Sequence, residues 1–70
     1  MKYYSAEILS RNLKKWRAEL GITQKDFAKK LGIPASQLNR LEIGSLNTTL
    51  DTLDRIASRL KKLPQELFEE

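Results

Sequence analysis

The side chains best suited to chemistry lie between Thr23 and Gly44. Within that stretch Ser36, Asn39 and Arg40 are three and four apart, which places them on one face of a helix. The face is small and polar with one long cation, and Ala35 and Gln37 flank it. These groups donate and accept hydrogen bonds, which suits recognition better than catalysis. The chain has no histidine and no cysteine. That removes the commonest acid–base catalyst and metal ligand, every thiolate and every disulfide. Asp51 and Asp54 lie one turn apart, but they read as solvated surface that balances a helix start. With no clustered carboxylate pair left, the sequence predicts no enzyme, no metal site and no cofactor.

Opposite the polar face, Leu38, Leu41, Glu42 and Pro34 point inward. A carboxylate on that side is costly unless it is paired. Arg17 has the same problem at the edge of another apolar stripe. A mutual, partly buried ion pair between Arg17 and Glu42 satisfies both. Whether it stabilises is a separate matter, because desolvation can cancel the attraction.

Short helices must position these residues. Leu9, Leu13, Trp16 and Leu20 form one stripe, which predicts a helix over 6–20 with Ser5 as N-cap, Glu7 in the first turn and Gly21 as its stop. Thr23 and Asp26 have the spacing of a capping box, and Ile22 can staple onto Phe27. That predicts a helix over 24–31, with Phe27, Ala28 and Leu31 inward. Gly32 closes it, and Pro34 opens a third over 34–42. Two helices joined by a short turn containing glycine form a helix-turn-helix. A loop over 44–48 leads to Thr49, the cap of a fourth helix over 50–60. Its stripe is Leu50, Leu53, Ile56, Ala57 and Leu60. Pro64 opens a short fifth helix to Phe68, with Leu63 and Leu67 covering the open end of the core. Five helices and no strand signal make an all-α class.

Seventy residues make a single domain over 1–70 with little core to spare. No repeat or low-complexity tract divides it. No apolar run approaches a membrane span or a signal-peptide core, so a cytoplasmic location and no membrane partner are expected. The net charge of +4 and pI near 9.6 fit either a polyanionic partner or plain solubility. Met1 to Tyr4 is a loose end. Tyr3 and Tyr4 can pack back on the first helix, or extend with Lys2 as an arm.

Thr23-Gln24, Ala28, Leu31-Gly32, Leu38, Arg40-Leu41-Glu42 and Gly44, followed by Leu50-Asp51-Thr52-Leu53 and Leu60, resemble a known pattern. It is the helix-turn-helix domain of phage repressors and Cro, the xenobiotic-response-element-like regulators of bacteria. Each element alone is weak; in order and at this spacing they are specific. The resemblance covers about 9–68 and implies a five-helix lambda-repressor-like domain that binds double-stranded DNA, in a bacterial or phage setting and associated with the nucleoid.

Roles follow by position from that resemblance. The second helix of the motif would lie in the major groove and read bases through Ala35, Ser36, Gln37, Asn39 and Arg40. Gln24 would bond a phosphate, with Lys25 beside it. Asn47, Thr48 and Thr49, at the start of the fourth helix, would meet phosphate too. Arg17 and Glu42 match a structural pair of several phage repressors. The residue types suit these tasks. Arg40 can bond guanine O6 and N7, Asn39 can bond adenine N6 and N7, and the Ala35 methyl can meet a thymine methyl. The lysines can add phosphate contacts or simply solvate their face. The chain departs from the family pattern in three places. Ile43 stands where an asparagine is frequent, Thr48 where a proline is common, and Pro34 where serine or threonine is usual.

One such helix reads few base pairs, so the sequence predicts a homodimer on a near-palindromic operator, acting as a repressor. Ile43, Leu46 and Phe68 are candidates for the dimer patch. The alternative keeps the fold but makes a protein the main partner, such as a toxin with this chain as its antitoxin, or the target of an adaptor. Antitoxins often carry a wrapping extension, whereas this chain stops two residues after Phe68, which argues weakly against that reading.

Overall fold

Three side-chain hydroxyls open three of the helices. Ser5 accepts from the Ile8 amide ahead of α1 (Ala6–Leu20). Thr23 accepts from the Asp26 amide ahead of α2 (Gln24–Leu31). Thr49 accepts from the Thr52 amide ahead of α4 (Leu50–Arg59). Each bond satisfies an amide that the first helical turn leaves without a partner. In the computed structural model, which describes residues 5–45 and 48–70, the remaining elements are α3 (Ala35–Glu42) and a terminal 3₁₀ turn (Pro64–Phe68). The described residues are thus four α-helices and one 3₁₀ turn rather than five α-helices, and the class is all-α. No helix among them is long and apolar enough to cross a membrane.

Gly32 has φ of +72°, the left-handed conformation that a side chain resists, and it closes α2 with Ile33 N donating to Ala28 O at 3.1 Å. The chain can then turn within two residues into α3. Pro34 sits one position earlier than its sequence suggests. It is the N-cap of α3, exposed, and makes no side-chain capping bond. As the cap it lies ahead of the helical wheel, so it does not join Leu38 and Leu41 inside.

The core takes Leu9 and Leu13 from α1, Phe27, Ala28 and Leu31 from α2, Leu38 and Leu41 from α3, Ile56 and Ala57 from α4, Leu67 and Phe68 from the terminal turn, and Ile33. Each large side chain fully buried there contributes roughly 1.5–3 kcal/mol, which is what holds so short a chain without a disulfide. Two polar residues of α1 go inside as well. Ser10 Oγ donates to the Glu42 carbonyl, and Asn12 Nδ2 donates to Leu67 O at 2.9 Å and Glu69 O at 2.8 Å.

Those bonds explain where sidedness departs from the spacing. Asn12 grips the carbonyls on either side of Phe68 and draws it onto α1. Phe68 is therefore 7% exposed and belongs to the core, not to a surface patch. Leu63 is 58% exposed, because its amide donates to Glu66 Oε1 at 2.7 Å and its backbone is extended as the cap of the turn. Leu50 is 78% exposed. Only the middle of the α4 stripe, Ile56 and Ala57, is buried. Towards its start α4 and the terminal turn leave a groove lined by Leu50, Leu53, Pro64 and Phe68. Leu20, at the end of α1, is 48% exposed.

Candidate nucleic-acid interface

The inner face of α3 is fixed by Leu38 and Leu41, at 0% and 1% exposure. Ala35, Ser36, Asn39 and Arg40 are consequently held outward, all exposed. Gln37 lies on the flank, half-buried, and its Nε2 donates to Thr48 Oγ1 at 3.0 Å. A residue assigned to base reading and one assigned to phosphate are thus tied to each other, across the loop that precedes α4.

The far end of α3 is locked to α1. Arg17 Nε donates to Glu42 Oε2 and Arg17 Nη2 to Glu42 Oε1, both at 3.0 Å, a fork-to-fork pair. Glu42 is 4% exposed and the Arg17 side chain 30%, so the pair is buried from one side. Gln24 joins it. Its Nε2 donates to Glu42 Oε1 and to Asn39 Oδ1, each at 3.3 Å. One chain of polar contacts therefore runs from α1 through the ion pair to the first residue of α2, and on to a side chain on the exposed row.

The other assigned residues lie at helix starts. Lys25 is exposed in the first turn of α2. The hydroxyl of Thr49 is engaged with Thr52, at 3.2 Å to its amide and 3.1 Å to its Oγ1. That leaves the amides of Leu50 and Asp51, rather than this hydroxyl, for an anion. The start of α3 has no side-chain cap; the Gln37 amide donates to Pro34 O at 3.0 Å, and the Ala35 and Ser36 amides are open to water or to an incoming anion. Asn47 and Leu46, and the arm of Lys2, Tyr3 and Tyr4, lie outside the described residues.

The residues proposed for a dimer patch are not brought together. Ile43 is 72% exposed, beside Glu7, Arg11 and Lys14 of α1, whereas Phe68 forms the floor of the groove under Leu50. The links from Gln24 to Asn39 and from Gln37 to Thr48 are not legible in the sequence, because they join residues far apart in the chain. Asn12 differs, because Leu9, Asn12, Leu13 and Trp16 have the spacing of one helix face. A polar residue in that series was a legible sign of a buried hydrogen bond.

The helix-turn-helix family matches residues 13–67. Among solved structures, a hypothetical transcription factor, NHTF, from Neisseria superposes with a TM-score of 0.78 over 90% of this chain and 71% of its own, at 21% identity. That similarity is one of fold. A comparison with curated proteins finds no match. The family match spans α2, the glycine turn and α3 together with the helices that brace them, and the chain belongs to the Cro/C1-type helix-turn-helix family of DNA-binding domains.

Proposed function

We propose that the chain is a sequence-specific regulator of transcription, a cytoplasmic repressor that places α3 in the major groove of a near-palindromic operator and binds as a homodimer. The observation that carries this reading is the row Ser36, Asn39 and Arg40, exposed on a helix whose opposite face is buried. An α-helix fits the major groove, where each base pair shows its own pattern of donors and acceptors. The small side chains of Ala35 and Ser36 let the helix approach closely. Gln24, Lys25, Thr48 and Thr49 stand at the starts of α2 and α4 and would hold phosphates that set the register. Asn47 takes the same role from the family pattern alone.

A two-fold dimer would set the two copies of α3 about 34–36 Å apart, one turn of the duplex. The groove under Leu50 suits the contact between copies. It is apolar, and it adjoins Thr48 and Thr49, so both reading helices could face the same side of one duplex.

Selection of bound sites from random duplexes at stated salt tests the proposal, since phosphate contacts make affinity fall steeply with salt. A two-fold motif with half-sites one turn apart is the expected result. Arg40→Ala should cost about 1–3 kcal/mol at one base pair of each half-site and relax the preference there. Recovery of the same motif with undiminished preference would remove Arg40 from the reading row.

A further inference from the structure

The C-terminal ends of α1, α2 and α4 converge on a depression of about 330 Å³ that has no residue of α3 in its wall. It is distant from the proposed duplex. α2 and α4 begin at the phosphate-facing end and run for 8 and 10 residues, so their far ends lie roughly 12 and 15 Å away. Lys30 from α2, Arg59 from α4, and Lys61 and Lys62 from the turn after α4 surround the depression, with Glu19 as its one acid. Four cations against one carboxylate leave a formal excess of three. Cations are favourable at helix C-termini, but each of the three ends carries only about −0.5 charge. That offsets half of the excess. Among the described residues none of the four makes a salt bridge.

The floor is apolar. Trp16 and Leu60 are half-buried, and Leu20 is partly exposed. Lys62 Nζ stands 4.7 Å from the centre of the Trp16 ring, a cation–π distance. One face of the indole is thereby covered, which leaves ring edge and leucine methyls to an occupant. Such a floor takes an aliphatic side chain better than it stacks a base. Lys61 is a second, independent sign. It has φ of +58°, the one non-glycine residue with positive φ among those described. It closes α4 with Lys61 N donating to Ser58 O at 3.1 Å and Lys62 N to Ala57 O at 2.8 Å. Glycine takes this position at least strain. A lysine held there puts an ammonium on the rim at a conformational cost, and such strain clusters at functional sites.

We propose that this depression docks an acidic segment of a partner protein. Its carboxylates lie against Lys30, Arg59 and Lys61, and one aliphatic side chain sits on Trp16, Leu20 and Leu60. The site faces away from the duplex, so partner and DNA are held at once.

Trp16 is the only tryptophan in the chain, and it lies in the site, so its emission reports occupancy. The full chain is titrated with a short peptide of glutamates around one leucine, with the same peptide lacking the leucine, with its lysine counterpart and with a single-stranded oligonucleotide. The glutamate–leucine peptide is expected to shift Trp16 emission saturably, the leucine-free peptide more weakly and the lysine peptide not at all. Added salt should weaken the binding. Arg59→Gln and Lys30→Gln should each lower affinity by up to about fivefold and leave duplex binding unchanged. Lys61→Gly should lower affinity while holding or raising the melting temperature, which separates a lost contact from a lost fold. The proposal is overturned if the glutamate–leucine peptide leaves the emission unchanged at low salt, or if these variants bind it normally. A larger response to the oligonucleotide would make this a nucleic-acid surface. A response to protein concentration alone would make it a contact between copies.

Discussion

Gln24 has a single side-chain nitrogen whose two N–H groups donate to Glu42 and Asn39; exchanging the Glu42 bond for a phosphate while keeping the Asn39 bond would give it two duties in the proposed complex. A residue that only grips phosphate lowers affinity for every sequence alike when removed. Gln24 also fixes how the Asn39 amide is turned, and the orientation of that amide decides which base edge it can pair. Gln24→Ala is therefore expected to weaken all duplexes and also to loosen the preference at the Asn39 position. Lys25→Ala, its exposed neighbour, should only weaken. Site selection with both variants separates the two, and identical motif profiles would confine Gln24 to the phosphate. The ion pair behind them can be tested by stability. Arg17→Met leaves the Glu42 carboxylate, 4% exposed, with Gln24 as its remaining side-chain donor. Breaking a fully buried pair costs about 3–5 kcal/mol. Arg17 is 30% exposed and water can reach the site, so about 2 kcal/mol is the expected loss. Thermal melting reads this, and a Glu42→Leu partner mutation should recover part of it. An unchanged midpoint in the single variant would make the pair ornamental.

At the scale of elements, the helix limits were readable because they are set locally. Ser5, Thr23 and Thr49 cap the next turn, and Gly21 and Gly32 end the one before, each within four residues of its effect. The sidedness of α3 was readable for the same reason, since two leucines fix it. What the sequence did not show is which part of a stripe meets a neighbour. Leu50 and Leu53 continue the spacing of Ile56, yet the terminal turn diverges from the start of α4 and leaves Leu50 in solvent. Phe68 was misplaced for the converse reason. Its burial depends on Asn12, fifty-six positions away in the chain, holding the carbonyls that flank it. That bond carries its own prediction. Asn12→Leu removes both donors and leaves the Leu67 carbonyl without this partner, a loss of about 1–3 kcal/mol. The amides of the terminal turn should then exchange faster than those of α1. Uniform loss of protection across the chain would mean instead that the turn and the helices unfold as one.

For the whole molecule, the proposed homodimer needs an apolar contact, and the two most exposed large apolar side chains among the described residues, Ile43 and Leu50, offer two different places for it. Ile43 projects beside α1 at the end of α3, and Leu50 stands over the groove floored by Phe68. The two make different dimers. A contact through Leu50 adjoins the start of α4 and leaves the exposed row of α3 clear. A contact through Ile43 lies where α3 joins α1, at the end of the proposed reading helix. Both side chains are mostly in solvent, so Leu50→Glu and Ile43→Glu should each leave the melting temperature of the isolated chain almost unchanged, within about 0.5 kcal/mol. Leu50→Glu is expected to abolish self-association in sedimentation, and to reduce binding of a two-half-site duplex towards that of a single half-site. Ile43→Glu should do neither. The reverse pattern would move the interface to α1. If both variants kept full binding to the palindrome, each copy would be finding its half-site alone, and the homodimer would have to be abandoned while the reading row stood.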